Sequence, residues 1–316
     1  MRYWGDKPYY SFSHYLKQTF GEKIHKVSIN AGMSCPNRDG KIGRGGCIFC
    51  STGGSGDFAG NVNNSITEQI NQGIAGTTKF NANKYIAYFQ AFTNTYAPID
   101  YLTKIYEEAI AHEKISVVSI ATRPDCLSDE VIDLIARLNK KKPVWVELGL
   151  QTIHEDTAEY IRRGYPLDCF HQAVKKLREK GITVIVHVII GLPGEDKKKV
   201  LETIEYLNTM DIQGIKLQLL HVLEYTDMAK DYKAGKFEVL SLEEYTDYVV
   251  SCIANLNPNI VIHRITGDGP KDILIAPLWS SRKMFVMNTI HHELKVRNIW
   301  QGCQWNRTNR IDEMDK

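Results

Sequence analysis

Residues 35–50 read Cys35-Pro-Asn-Arg-Asp-Gly-Lys-Ile-Gly-Arg-Gly-Gly-Cys47-Ile-Phe-Cys50. Three cysteines share this stretch, with eleven residues between the first and second and two between the second and third. Pro36 and the glycines at 40, 43, 45 and 46 exclude a regular helix or strand. The loop is therefore free to wrap around a group and turn its thiolates inward. A closed zinc or iron–sulfur site takes four protein ligands, so three leave one metal corner open for chemistry. No further His or Cys lies within the loop. His25 would have to fold back to serve as a fourth ligand, and Cys303 is the other distant candidate. Cys126, Cys169 and Cys252 read as buried thiols.

Outward from this loop, short apolar strands alternate with amphipathic helices, the pattern of βα units and a parallel sheet. Strands are expected over Lys26–Ala31, Tyr85–Phe92, Ser116–Thr122, Val144–Leu150, Thr183–Ile190 and Ile215–Leu220. Ser65-Ile-Thr-Glu68 and Ser241-Leu-Glu-Glu244 are capping boxes. Ser128 caps another helix, and Gly181 closes the one over 168–180. Helices are also expected at 11–20, 226–235 and 283–296, with a strand-like stretch at 259–265. One face of each strand is partly polar: Ser28 and Asn30, Tyr88 and Gln90, Ser119 and Arg123, Glu147 and Gln151, His187, Lys216 and Gln218. Sheets covered by helices on both faces are apolar on both. A polar face must be satisfied somewhere, and an incomplete barrel with a polar interior satisfies it. The fold expected is α/β, a partial (β/α)6 TIM-type barrel with a C-terminal α+β extension. Residues 1–25 form an aromatic-rich N-terminal segment, 26–222 the partial barrel and 223–316 the extension.

Composition narrows the setting. The chain has 316 residues, 43% of them hydrophobic, and a net charge of +2. Seven cysteines, an odd number with three clustered, argue against a disulfide framework and for a reducing compartment. The N-terminus lacks the apolar core of a signal peptide, and no stretch approaches the roughly 18 apolar residues of a membrane span. The expectation is a soluble cytoplasmic protein with no membrane partner. Residues 260–310 carry a local excess of five positive charges, which suits an anionic partner or simply solvated surface.

A cysteine loop after the first strand of a βα series resembles the radical S-adenosylmethionine (SAM) enzymes over roughly residues 25–225. Phe49 matches the aromatic position before the last cysteine of their motif. The eleven-residue first spacer is longer than the family's commonest form and is similar to that of the branch containing the Elongator catalytic subunit. Thr122-Arg-Pro-Asp125, Gly191-Leu-Pro-Gly-Glu195 and Arg264-Ile-Thr-Gly-Asp268 resemble that branch as well. Glu147-Leu-Gly-Leu-Gln151 resembles the fourth-strand motif shared with oxygen-independent coproporphyrinogen oxidase. The whole chain looks most like a short bacterial subgroup. No acetyltransferase domain follows, so Elongator's full reaction is not implied. Phe89-Gln-Ala-Phe-Thr93 stands where many members have a glycine-rich strand end.

The resemblance implies that Cys35, Cys47 and Cys50 hold a [4Fe–4S] cluster whose fourth iron is chelated by SAM. One electron then splits SAM into methionine and a 5′-deoxyadenosyl radical that abstracts hydrogen from substrate. It further implies an external donor such as flavodoxin or ferredoxin, and SAM contacts from Phe49, Gln90, Arg123, Glu147, Gln151 and Gly191. Glu147 and Gln151 have a barrel salt bridge to Arg123 or Lys216 as their plain structural alternative. A helix cap is the alternative for Arg123, and a simple turn for Gly191. The substrate expected is RNA, a tRNA base first, or a small metabolite. Arg264, Arg282, Lys283, Arg297, Arg307 and Arg310 lie among Trp279, Trp300 and Trp305, a combination suited to single-stranded RNA loops. Charge reversal at Arg297 and Arg307 is expected to weaken such binding. Two other functions fit the residues: a zinc-dependent RNA-binding or scaffold protein, and an iron–sulfur electron carrier that never cleaves SAM.

Overall fold

The computed structural model describes residues 1–77 and 82–305. Arg307 and Arg310 of the basic segment lie outside the described residues. Helix α1 (Phe12–Phe20) precedes strand β1 (His25–Ile29), and the cysteine loop leads to α2 (Ile66–Gly76). The rhythm continues through β2 (Tyr85–Phe89), α3 (Ile99–Ala111), β3 (Ile115–Thr122), α4 (Asp129–Asn139) and β4 (Val144–Gln151). A short α5 (Glu155–Tyr160) and α6 (Leu167–Glu179) lead to β5 (Thr183–Ile190), followed by α7 (Lys197–Asn208) and β6 (Gly214–Leu219). The remainder is β7 (Val222–Leu223), α8 (Asp227–Lys233), α9 (Leu242–Asn255), β8 (Val261–Arg264), β9 (Leu274–Ala276) and α10 (Lys283–Val296). Seven strands pair in the order β1-β2-β3-β4-β5-β6-β8, and β7 with β9 form a separate antiparallel pair. The fold is of the partial TIM-type barrel class with an α+β extension.

Two compact units make up the chain. One holds Leu16–Leu150 and Arg162–Val186; the other holds Met1–Tyr15, Gln151–Ile161 and the residues from His187 on. In the first unit β1, β2, β3 and β4 pair in parallel register, Ser28 opposite Tyr88, Tyr88 opposite Ser119, and Ala121 opposite Glu147. Parallel partners share a face, so Lys26, Ser28, Tyr88, Ser119 and Glu147 all point one way. This is the polar face expected from the alternation. Val27 points the other way, under α2, where Gly73 lets the backbones approach: a Cβ at Gly73 would stand 2.3 Å from Val27 Cγ1. The second unit builds its own core on β6, β8 and α9, with Val249, Val250, Ile253 and Ile262 buried.

The helix ends follow their sequence signals. Ser65 and Ser241 make full capping boxes with Glu68 and Glu244, and Ser128 Oγ accepts from the Val131 amide. Gly181 takes φ +69°. Its amide donates to the Arg178 carbonyl while that of Ile182 donates to Leu177, the paired bonds of a Schellman turn.

The strand ends differ from expectation. Strand β1 stops at Ile29 because Gln69 takes over the Asn30 backbone, accepting from its amide at 2.9 Å and donating to its carbonyl at 2.9 Å. Strand β2 stops at Phe89, and Phe92 at φ +61° cannot continue an extended run. The stretch 259–265, read as part of the extension, joins the main sheet as β8 beside β6. Helix α5 and the β7–β9 pair are too short to leave a periodic trace.

Gly73→Ala is expected to destabilise the protein by roughly 1–3 kcal/mol, since the new methyl meets a β-branched side chain fixed in a strand. Urea denaturation measures it.

Candidate functional site

Every residue named from the sequence as a cofactor contact, Phe49 and Glu147 apart, stands at the carboxyl end of a strand. The cysteine loop follows β1, Gln90 follows β2, Arg123 follows β3, Gln151 ends β4 and Gly191 follows β5. This is the end at which parallel α/β barrels carry their sites.

The cysteine loop is a chain of tight turns. The Arg38 and Asp39 amides donate to the Cys35 carbonyl at 2.8 and 3.1 Å, and the Cys50 amide donates to Cys47 at 3.0 Å. Two glycines make room for side chains that reach the cysteines. A Cβ at Gly43 would lie 2.5 Å from Asn37 Oδ1, and one at Gly46 would lie 2.9 Å from Arg38 Nε. Asn37 Nδ2 donates to Cys47 Sγ at 3.6 Å and to the Arg162 carbonyl at 2.6 Å. Arg38 Nη2 donates to the carbonyls of Cys50, at 3.1 Å, and Ser51. Burial and the neighbouring Cys50 push the Cys47 thiol up to about 12, against the pull of the Arg123 guanidinium. Burial raises Cys50 as well, opposed by Arg38. Among the described residues no three His, Cys, Asp or Glu side chains are gathered as closely as one metal ion requires. A tetrahedral zinc site with Zn–S near 2.3 Å would need thiolates about 3.8 Å apart.

The other candidates lie in the loop, on the strands or just after them. Phe49 is half-buried beside Cys50. Gln90 Nε2 donates to the Ser55 carbonyl at 2.7 Å, tying the segment after the loop to the end of β2. Arg123 donates through Nε and Nη2 to both oxygens of Asp125 at 2.9 Å and through Nη1 to the Arg163 carbonyl at 2.9 Å. Its guanidinium also stacks 4.9 Å from the centre of the Tyr165 ring. Glu147 is fully buried on the polar face. Its Oε1 accepts from Lys26 Nζ at 2.8 Å and from Ser119 Oγ at 2.7 Å, and Lys26 in turn lies 4.5 Å above the Tyr88 ring. Gln151 sits in the left-handed region at φ +69° with its Oε1 buried and no partner among the described residues. Gly191 takes φ +92°. Beside the loop, Pro36, Thr95, Tyr96, Asp125 and Cys126 line a cavity of about 620 Å³.

Sequence reasoning missed Asn37 and Arg38, which follow Cys35-Pro36 and carry no motif of their own. It also missed Lys26, whose pairing with Glu147 depends on strands far apart in sequence.

The family profile described as the radical SAM superfamily matches residues 37–207, and one described as a radical SAM C-terminal domain matches 212–296. The Bacillus subtilis (strain 168) protein YtqA is 46% identical over 94% of this chain and 92% of its own length. A Methanocaldococcus jannaschii tRNA uridine(34) acetyltransferase is 27% identical over 52% of this chain and 30% of its own length. The solved structure of Methanocaldococcus infernus Elp3 lacking its N-terminus superposes with a TM-score of 0.68 at 16% identity, covering 89% of this chain and 65% of that one.

Lys26→Met is expected to lower stability by on the order of 3 kcal/mol, because it strips a cation from a buried carboxylate. Adding Glu147→Gln recovers most of the loss. Chemical denaturation of both variants checks the pair, and an unchanged midpoint for Lys26→Met would contradict it.

Proposed function

This chain belongs to the radical SAM superfamily, and we propose that Cys35, Cys47 and Cys50 hold its [4Fe–4S] cluster in an enzyme that modifies a tRNA base. The protein is an enzyme whose cofactors are that cluster and SAM. When bound, they supply a 5′-deoxyadenosyl radical after transfer of one electron. The observation that carries the cluster assignment is the loop itself. Three thiols share one glycine-rich loop, with Asn37 donating to Cys47. Asn37 and Arg38 hold the loop's shape, and a hydrogen bond to a ligating sulfur is a lever on cluster potential.

The chain's own groups then take distinct parts. Gln151 offers its unpartnered buried Oε1 to SAM. Gly191, in the left-handed region, would let backbone approach the nucleoside, and Phe49, next to Cys50, would flank the cluster. The Gln90 and Arg123 side chains already bond Ser55 and Asp125, so they serve by fixing the turns that surround SAM. Glu147, held by Lys26 and Ser119, gives the polar strand face a fixed negative charge. We assign residues 26–222 to this catalytic part and 223–316 to substrate recognition; the two profile matches, 37–207 and 212–296, support a two-part chain. An external one-electron donor of the flavodoxin or ferredoxin kind completes the reaction. Among the described residues no helix is long and apolar enough to cross a membrane.

The tRNA reading draws on the relative named for tRNA uridine 34 and on the surface of the C-terminal part. Ser281–Phe285 is an exposed run containing Arg282, Lys283, Met284 and Phe285. Arg297 contributes less than its charge suggests, since Asp247 and Glu293 both bond its guanidinium. Trp279 packs against Tyr245 and donates to the Leu240 carbonyl, so it is an anchor of the unit and not a stacking platform.

Anaerobic reconstitution with iron and sulfide, followed by dithionite and SAM, tests the reading. Wild type is expected to release 5′-deoxyadenosine, more of it when bulk tRNA is added, and to change the tRNA nucleoside profile. The Cys35→Ala/Cys47→Ala/Cys50→Ala variant is expected to release none. Cleavage of SAM that tRNA neither stimulates nor accompanies with a new nucleoside would redirect the substrate to a small metabolite.

A further inference from the structure

Strands β6 and β8 run side by side in parallel, Gly214 opposite Val261 and Lys216 opposite Arg264. Their carboxyl ends therefore share one edge, where His221 follows the first strand and residues 265–270 follow the second. At that edge the His221 imidazole fills the space of two absent side chains. A Cβ at Gly267 would stand 2.5 Å from His221 Cε1, and one at Gly269 would stand 3.1 Å from its Cδ2. Neither glycine is in the left-handed region, so it is close approach to the ring, severe at Gly267 and tight at Gly269, and not backbone freedom, that favours glycine at these positions. The clamped ring keeps its Nε2 buried with no hydrogen-bond partner among the described residues. A buried nitrogen without a partner is unfavourable, and such a group calls for a partner that the chain does not supply, a water or a ligand.

Charge gathers beside it. Asp268, in the same loop, meets Lys283 Nζ at 2.6 Å and Arg264 Nη2 at 3.6 Å. All three side chains are a third to a half exposed. Two cations on one carboxylate leave a surplus positive charge facing solvent, next to the exposed Met284 and Phe285.

Resting on the tRNA reading above, we propose that His221 and the Arg264–Asp268–Lys283 cluster together hold one nucleotide of the RNA substrate. The imidazole hydrogen-bonds its base or ribose, and the two cations take its phosphate. Burial drives His221 down to about 4, with Asp268 opposing and Arg264 assisting. The ring is therefore neutral at physiological pH and offers one donor and one acceptor, which suits the polar edge of a base. Gly267 and Gly269 are positioning residues that act only through the ring.

Filter binding of end-labelled bulk tRNA to the cluster-loaded protein with SAM tests this. His221→Ala is expected to weaken binding about two- to twelvefold, the range for one lost hydrogen bond. Gly267→Ala displaces the ring and is expected to weaken binding by a similar factor, while the double variant binds no worse than His221→Ala alone. Arg264→Ala/Lys283→Ala, a change confined to partly exposed side chains, is expected to make the log–log salt dependence shallower by about 0.7, the value for one phosphate contact. Wild-type binding matched by all of these variants would overturn the proposal and leave the tRNA reading standing. Additive losses for Gly267→Ala and His221→Ala would overturn the positioning role. Absence of tRNA binding by wild type would remove the tRNA reading and this inference with it.

Discussion

A glycine-rich loop can present three thiolates only if something fixes its course. Here two adjacent side chains do so. Asn37 ties Cys47 Sγ to the Arg162 backbone, and Arg38 ties the Cys50 and Ser51 carbonyls back to the turn that begins at Cys35. Gly43 and Gly46 are small because those two side chains pass beside them. The loop is further moored to the strand ends, the Thr93 amide donating to Ser34 and Gln90 to Ser55. Removing any of these bonds would leave the thiols on the chain without fixing where they point.

The strands behind the loop carry the second constraint, a carboxylate with no exposure at all. Glu147 is tolerated on β4 because Ser119 from the neighbouring β3, and Lys26 reaching along the same face from β1 with β2 and β3 between, both donate to its oxygen. Burying a carboxylate is unfavourable by several kcal/mol without such partners. Its presence defines a polar interior face, whereas a closed barrel would normally fill that face with branched apolar residues. The Tyr88 ring beneath Lys26 adds a cation–π contact to the same network.

Much of this was legible in the sequence because it is local. Capping serines, the glycine after α6, the alternation of polar and apolar strand positions and the cysteine spacing are all read within a few residues of one another. The order of βα units followed from them, as did the family. What the sequence concealed depends on contacts between distant segments. Lys26 reads as a surface lysine until β1 and β4 are brought into one sheet. Arg297 reads as free charge until α9 supplies Asp247. Strand β8 reads as part of an extension because nothing in Val261–Arg264 says that β6 is its neighbour. Gly267 entered the sequence reading only as part of a motif, and the position of the His221 ring gives it and Gly269 a packing reason.

The central claim is a cluster held by Cys35, Cys47 and Cys50 with one iron left for SAM. Electron paramagnetic resonance of the anaerobically reconstituted, dithionite-reduced protein, recorded before and after SAM is added, addresses it most directly. The account predicts a reduced [4Fe–4S] signal whose g values shift when SAM binds. A cluster signal indifferent to SAM, or a protein that takes up zinc and no sulfide, would contradict it.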